Sequence, residues 1–170
     1  MKKLILTVMA VFFTAGFASA QRFAYVDTEY ILSNIPAYKS AQEQILTASD
    51  QWQKEVDEAF KSIEALYKGY QEQRTSMNAS DQRKKEDEII TKENEAKDLQ
   101  KKYFGREGLL PQMQEEFLKP IRESVLSAVK AMSAEEDYSI VFDTASDAGI
   151  LYFNPKNDKS DEILQRMGYK

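Results

Sequence analysis

The sequence contains no cysteine and no histidine, and only six glycines and four prolines in 170 residues. Without cysteine or histidine there is no disulfide framework, zinc finger, thiol nucleophile, haem or iron–sulfur ligation, and no histidine-based acid–base catalysis. Any enzyme of this composition would depend on carboxylates, lysines or tyrosines alone. So little glycine and proline is unusual for an all-β or doubly wound fold, and it favours long helices.

The charge balance and the missing motifs narrow the function further. A formal net charge of −5 argues against a nucleic-acid-binding surface along the whole chain. No glycine-rich phosphate loop is present, so we expect no nucleotide dependence. The acidic clusters at 115–116 and 135–137 are expected to be solvated, because catalytic carboxylate pairs and cation sites need converging side chains. We therefore expect no enzyme activity, no catalytic residue, no cofactor and no metal; a carboxylate-based envelope hydrolase is a distant alternative.

Residues 1–20 have the pattern of a cleavable export signal. Lys2 and Lys3 precede an apolar run that is short for a membrane span, and Ala18-Ser19-Ala20 matches the small-x-small cleavage pattern. We expect cleavage after Ala20, with a retained N-terminal anchor as the alternative. Loss of the two lysines leaves 21 basic against 28 acidic side chains, a net charge of −7. Export of a protein without cysteine fits the periplasm, where packing or assembly must supply the stability.

Strand patterns occur near both ends of the mature chain. Residues 23–26 alternate large and small apolar groups, and Asp27 or Thr28 can cap a short helix over residues 29–34. Near the C-terminus, residues 138–142 and 149–153 predict two more strands, joined as a hairpin.

The strand at 149–153 is followed by one more helix. Ser160 is expected to cap a final helix over residues 161–167, which Gly168 ends.

A heptad pattern of apolar residues follows Pro36. The pattern is interrupted once, between Trp52 and Val56, by an extra step of four residues, which is a coiled-coil stutter. Its members are Tyr38, Ala41, Ile45, Ala48 and Trp52, and then Val56, Ala59, Ile63, Leu66 and Tyr70. A helix of this length would measure roughly 60 Å, about twice the span of a small domain, so a single core helix is a weak alternative.

A second helix is predicted after the break at residues 77–81. Ser80 is placed to cap it, and the charged residues 81–102 can form a helix only if it is solvated and paired with one neighbour. Two long helices joined by a short turn form an antiparallel helical hairpin. The apolar seam returns between Leu110 and Met132, where Pro111 and Pro120 predict kinks near Gly108 and Leu118.

The predicted strands and helices define three regions: the signal at 1–20, a small α/β body at 21–36 and 120–170, and a hairpin, or tentacle, at 37–119. A body of this size is marginal as a lone core. Its apolar strands and the heptad helices both favour partners, so we expect a homo-oligomer.

The mature chain resembles the Skp/OmpH family of periplasmic chaperones. The resemblance rests on the export signal, the opening Phe-Ala-Tyr-Val-Asp-Thr, the charged hairpin, and the closing Tyr-Ser-Ile-Val-Phe-Asp, Gly-Ile-Leu-Tyr-Phe-Asn-Pro and Ser-Asp-Glu-Ile-Leu. It implies a mainly α fold with a small β body, assembled as a jellyfish-like homotrimer. It also implies an ATP-independent holdase that binds unfolded outer-membrane β-barrel proteins in a cavity between the tentacles and so assists their assembly.

Two groups of residues carry the expected contacts. The resemblance places the oligomerisation residues in the strands of the body: Phe23, Tyr25, Val26, Ile140, Val141, Phe142, Ile150, Leu151, Tyr152 and Phe153. A holdase needs apolar groups spread over a mobile surface, and the tentacle carries seven candidates for client binding: Trp52, Phe60, Tyr67, Tyr70, Met77, Tyr103 and Phe104. The alternative for each ring is that it joins the two helices of the hairpin.

The charge of the chain departs from the family pattern. The best-known members are strongly basic, whereas this mature chain is acidic, so we expect charge to contribute little to client binding. The predicted tip of the hairpin, at residues 68–85, is locally basic, and any contact with a membrane surface is expected to be weak and confined to it. The remaining alternative function is a structural coiled-coil spacer or tether of the cell envelope, which would need no exposed apolar surface.

Overall fold

The structure of the protein is a computed structural model that describes residues 22–146 and 149–170. The predicted export signal and its cleavage point after Ala20 lie outside these residues. The described chain is mainly helical with a small two-stranded sheet. Its strands are β1 (Arg22–Val26) and β2 (Tyr138–Asp143). Its α-helices are α1 (Thr28–Ser33), α2 (Pro36–Gln73), α3 (Ala79–Phe104), α4 (Leu109–Glu135) and α5 (Ser160–Arg166), and short 3-10 turns stand at Arg74–Ser76 and Pro155–Asn157.

The chain divides into two compact units. The hairpin unit comprises Leu32–Ser124, and the sheet unit comprises Val125–Lys170 with the described residues up to Ile31. Each unit has its own buried side chains, so each is described separately.

Helix α2 confirms the predicted heptad seam. Pro36 is the first residue of the helix and follows Ile35, which has an extended backbone. Proline lacks a backbone N–H group, but at this position that group would have no hydrogen-bond partner within the helix. Ile45 and Val56 are both buried and are eleven residues apart, one heptad plus the extra four residues of the stutter. Ile63 and Tyr70 continue the buried series at intervals of seven.

Helix α3 is capped by Asn78, so the prediction that Ser80 caps it was wrong. Asn78 has an extended backbone and stands just before the first helical residue, whereas Ser80 lies inside the first turn. The Asn78 Oδ1 atom accepts a hydrogen bond from the Asp81 backbone amide at 2.9 Å, and Asn78 Nδ2 donates to the Asp81 carboxylate at 2.8 Å. The side chain one step outside the helix therefore satisfies the free amide.

Helices α2 and α3 form the predicted antiparallel hairpin. Tyr70, near the end of α2, contacts Glu86, near the start of α3, whereas Tyr103, at the end of α3, contacts Glu55 in the middle of α2. The helices share a buried cluster of Ile63, Tyr70, Ile89 and Ala96. A second cluster joins α2 to α4 through Ala41, Ile45 and Leu118.

The chain breaks between α3 and α4 at Gly105–Gly108 instead of kinking within one helix. A Cβ atom on Gly108 would stand 2.7 Å from the Tyr103 carbonyl oxygen, so this close turn requires glycine. Pro111 lies in the first turn of α4, where its missing amide costs nothing, and Pro120 lies inside α4, which runs on to Glu135.

The sheet of the sheet unit has two parallel strands, with Ala24 opposite Val141 and Tyr25 opposite Phe142. The prediction of a third strand at 149–153 was wrong, because the described residues 149–154 have no regular secondary structure. Leu151 is fully exposed at 102%. This segment pairs with neither β1 nor β2, and Asp158, further along the chain, bridges β1 at Tyr25 instead. Strand-forming residues alone therefore do not create a ladder.

The ends of α1 and α5 are fixed by short polar contacts. Asp27 caps α1, as expected, by accepting a hydrogen bond from the Tyr30 amide at 2.8 Å. Ser160 is not the predicted cap of α5, because it is the first residue of the helix and its Oγ accepts a hydrogen bond from the Asp27 amide at 2.8 Å. Gly168 follows α5 with a φ of +81°, a conformation that favours glycine, and ends the helix as predicted.

Candidate functional site

The interior of the hairpin holds a stacked pair of rings. Trp52 of α2 and Tyr103 of α3 are nearly parallel, at an angle of 7°, with ring centres 5.1 Å apart. The Tyr103 hydroxyl donates a hydrogen bond to the Glu55 carboxylate at 2.5 Å. This hydrogen bond and partial burial raise the pKa of Tyr103 above its ordinary value. The ring pair thus packs one helix on the other and leaves no polar group of Tyr103 unsatisfied.

A second tyrosine forms the same kind of bridge in the opposite direction. The Tyr70 hydroxyl of α2 donates to the Glu86 carboxylate of α3, and that hydrogen bond is the main reason why the pKa of Tyr70 is raised. Both bridges join a buried ring to a carboxylate at the edge of the seam. Together they hold the hairpin in one register.

The seven predicted client-binding residues separate into three groups. Tyr70 and Tyr103 are each only 7% exposed, so they are seam residues with little surface to offer a partner. Phe60 and Tyr67 are 39% and 51% exposed on α2. The half-buried members are Trp52, Met77 and Phe104. The structure does not bring the seven together, and it leaves Phe60 and Tyr67 as the rings with most free surface.

Leu46 was not among the predicted client-binding residues, although it is 63% exposed on α2. It lies fourteen residues before Phe60 and twenty-one before Tyr67, so the three are spaced by multiples of seven residues and all lie outside the seam. Because that interval brings a helical residue back to nearly the same face, they form one apolar row along α2. A search for a second heptad series would have found it.

A groove lies beside the first member of this row. Leu46 and Ile45 of α2 and Leu110 and Leu118 of α4 supply its apolar lining, and its volume is about 620 Å³. Lys39, Gln42, Glu43, Ser49 and Gln114 form the polar part. Volumes of roughly 300–1,000 Å³ are typical of sites that hold a small ligand or a few side chains.

The predicted oligomerisation residues differ in their accessibility. Tyr25 and Val26 are buried within the protomer; the Tyr25 ring lies 4.4 Å from that of Phe153, and its hydroxyl donates to the Asn154 carbonyl at 2.9 Å. Val141 is half-buried. The exposed members are Phe23, Ile140, Phe142, Ile150, Leu151, Tyr152 and Phe153. Tyr25 and Val26 therefore belong to the core of the sheet unit, and the others retain apolar surface.

An ion-pair network stabilises the C-terminal part of the sheet unit. Lys159 contacts Glu162 at 2.7 Å and Glu136 at 3.0 Å, and Arg166 contacts Glu162 at 2.7 Å and Glu135 at 2.6 Å. The hydrogen bond from Lys159, reinforced by Arg166, lowers the pKa of Glu162 from 4.5 to about 2. The network therefore connects α5 to the end of α4.

Within the described ranges, no group of acidic side chains has the arrangement that could hold a metal ion. No helix in the same residues is long and apolar enough to cross a membrane. The distinctive surfaces are apolar: the row along α2 with its groove, and the exposed side chains of the sheet unit. Such surfaces gain free energy by burial against another polypeptide.

Both a protein family and solved structures match this chain. The family described as outer membrane protein (OmpH-like) matches residues 22–167. A crystal structure from Caulobacter crescentus CB15, described as a proposed outer membrane chaperone (OmpH-like), superposes with a TM-score of 0.63 and 11% identity over 88% of this chain and 85% of that chain. At this identity the likeness shows a shared fold. No curated protein matches the sequence.

Proposed function

Because the chain belongs to the OmpH-like family of outer membrane proteins, we propose that it is an ATP-independent periplasmic holdase chaperone. It binds unfolded outer-membrane β-barrel proteins in a cavity between the helical hairpins of an oligomer and prevents their aggregation. The single observation that carries this proposal is the apolar row of Leu46, Phe60 and Tyr67, which stays exposed on a helix whose seam is otherwise buried. The export pattern of residues 1–20 supports the periplasmic location.

The row suits holding a client without selecting one sequence. Its members are about 10 to 20 Å apart along the helix, so a client makes several separate contacts and not one deep insertion. Each contact contributes about 25 cal/mol per Å² of buried apolar surface, offset by the ordering of both chains. Many weak contacts allow exchange and release without hydrolysis of a nucleotide.

We further propose that the protein assembles as a homotrimer through the exposed side chains of the sheet unit. Leu151 is the most useful position, because a residue that is fully exposed in the protomer can be changed without disturbing its fold. Leu151→Asp should put a charge into the shared interface and dissociate the oligomer. Gln165→Asp, also at an exposed position, is the matched control. Sedimentation of wild type as a monomer, or an unchanged mass for Leu151→Asp, would contradict this assembly.

No enzymatic step is part of this proposal, and neither cofactor nor nucleic acid has a role in it. The basic side chains near the turn between α2 and α3, including Arg74 and Lys84, permit a weak membrane contact at most. Lys84 lies 3.6 Å from Asp81, which offsets part of its charge.

The test is suppression of aggregation of a urea-denatured outer-membrane β-barrel protein after dilution, followed by light scattering without ATP. We expect stoichiometric amounts of the mature protein to keep the client soluble. Phe60→Ser/Tyr67→Ser should weaken the effect, whereas the exposed control Gln51→Ser/Gln71→Ser should leave it unchanged. Failure of wild type to suppress aggregation at any ratio would favour a structural coiled-coil spacer of the envelope.

A further inference from the structure

A row of acidic residues runs beside the apolar row of α2. It repeats every seven positions and consists of Glu43, Asp50, Asp57 and Glu64, all exposed. Each apolar member stands three or four residues from an acidic one: Leu46 lies between Glu43 and Asp50, and Phe60 between Asp57 and Glu64. Side chains with these spacings share one face of a helix. The exposed face of α2 therefore presents apolar and negative groups side by side.

The acidic row forms no ion pair within the described residues. None of its four carboxylates makes an ion pair there, and Asp57 only accepts a hydrogen bond from Gln53 at 2.8 Å. Lys54, Lys61 and Lys68 form a third row, on the side of the acidic row away from Leu46 and Phe60. Each of these lysines follows an acidic member by four residues and offsets part of its charge, but no ion pair occupies the four carboxylates, so they can still pair with a cation from another molecule.

The groove of about 620 Å³ lies at the start of both rows. Leu46 belongs to the apolar row and also lines the groove, and Glu43 of the acidic row stands at its polar side. An apolar side chain that enters the groove between Leu46, Leu110 and Leu118 would bring its neighbours in sequence onto the two rows. The groove and the rows therefore make one continuous surface within the hairpin unit.

We propose that this surface binds extended polypeptide segments in which large apolar residues alternate with lysine or arginine. Apolar side chains contact Leu46, Phe60 and Tyr67, one of them is held in the groove, and the basic side chains face the acidic row. Charge complementarity selects this occupant, since an anionic segment would place like charges along four carboxylates. The inference rests on the proposed function and specifies which parts of an unfolded client contact α2.

The distances on α2 suit an extended chain. Leu46 and Phe60 are separated by fourteen helical residues, about 21 Å, which an extended segment covers in about six residues. Residues six apart in an extended chain point to the same side, so both ends of such a segment can direct apolar groups at the helix. The basic residues between them can reach the neighbouring carboxylates of Asp50 and Asp57.

Three labelled peptides of twelve residues test the selection by fluorescence anisotropy with the mature protein. The first alternates tryptophan and lysine with glycine and serine, the second replaces lysine by glutamate, and the third keeps lysine but replaces tryptophan by serine. We expect the first to bind about tenfold more tightly than either of the others, because several weak exposed contacts act together. The preference for lysine over glutamate should shrink in 1 M salt.

Two protein variants separate the row from bulk charge. Glu43→Gln/Asp50→Asn/Glu64→Gln removes three charges from the row, and Asp87→Asn/Asp98→Asn/Glu116→Gln removes three exposed charges from α3 and α4. We expect only the first variant to lose the preference for the lysine peptide. Equal loss in both variants, no loss in either, or no saturable binding of the first peptide to wild type would overturn the proposal.

The same samples identify a competing occupant and separate this inference from the proposed function. If Leu46→Ser/Phe60→Ser lowers the mass of the oligomer in sedimentation, a second copy of the chain covers the row and the proposal is wrong; an unchanged mass supports a free surface. Aggregation of the β-barrel client is scored in parallel. Suppression that persists while the peptides show no preference would refute the selection by charge and leave the holdase function standing.

Discussion

The sheet unit and the hairpin unit differ in how they enclose their apolar side chains. Ile163 and Met132 of the sheet unit are 0% exposed, whereas Ile63 and Ile45 of the hairpin unit, at seam positions, are 8% exposed. The clusters of the hairpin unit each draw on two helices, so seam residues such as Ile63 and Ile45 keep one side close to water. The sheet unit adds an ion-pair network, and the hairpin adds tyrosine–carboxylate bridges.

This difference shows how one chain can combine a stable part with an adaptable one. A thin two-helix seam encloses little, so it leaves long helical faces free and opens at modest cost. A buried core with a network of ion pairs opens only with the unit as a whole. Trp52, the sole tryptophan of the sequence, lies in the hairpin, so its fluorescence reports on that unit, whereas circular dichroism reports on both.

The largest expected effect compares the same substitution in the two units. Ile163→Ala should lower the free energy of unfolding by about 4 kcal/mol and Ile63→Ala by about 2 kcal/mol, because a cavity at the more open seam is more easily filled by water or by movement of a helix. Urea titration followed by circular dichroism and Trp52 fluorescence measures both. Equal losses would remove the distinction between the two cores.

Two glycines of the hairpin unit should respond in opposite directions. Gly108→Ala places a Cβ atom 2.7 Å from the Tyr103 carbonyl oxygen and should destabilise the turn between α3 and α4 by about 1 to 3 kcal/mol. Gly69→Ala, with no atom within 4 Å of the new Cβ, should stabilise α2 by about 1 kcal/mol. If Gly108→Ala left the melting temperature, followed by Trp52 fluorescence, unchanged, the close approach at Gly108 would be contradicted.

Acid should weaken the sheet unit before the hairpin. The pKa of Glu162 is lowered from 4.5 to about 2, so its contribution to stability is complete above pH 4.5 and is lost as the pH falls toward 2. Glu162→Gln should flatten this dependence when melting is followed by circular dichroism between pH 5 and pH 2.5. The control is Glu123→Gln, an exposed residue of α4 outside the network. The same slope in Glu162→Gln and wild type would show that another group is responsible.

The smallest expected effect concerns a single bridge of the hairpin. Tyr103→Phe keeps the stacking on Trp52 but removes the hydrogen bond to Glu55, and it should lower the Trp52-monitored melting temperature by a few degrees. Tyr67→Phe changes an exposed ring and serves as the control. Equal melting temperatures for the two variants would mean that the bridge adds nothing to the seam.

The hairpin could be predicted well from the sequence because burial repeats with the period of the helix. Ile45, Val56, Ile63 and Tyr70 follow from spacing alone, including the stutter. The cap of α3 could not be chosen with certainty, since Asn78 and Ser80 are both good capping residues two positions apart. The geometry of the backbone decides between them.

The candidate site was less predictable. Tyr70 and Tyr103 are buried because α2 and α3 pack on each other in one register. The sequence of α3 is rich in charge and contains few apolar residues that specify this register. Phe60 and Tyr67 are surrounded by a sequence similar in composition to that around Tyr70 and Tyr103, but they lie outside the seam. The segment around Leu151 has strand-forming residues, yet a strand needs a neighbouring edge that composition does not reveal.

The most direct measurement is hydrogen exchange of the mature protein with and without an unfolded outer-membrane β-barrel protein, at low and high salt and without ATP. The account predicts saturable protection along α2 between Glu43 and Tyr70, only modestly reduced by salt, with the strands of the sheet unit unchanged. Protection confined to the sheet unit, or no protection at any client concentration, would contradict the claim that the exposed face of the hairpin holds the client.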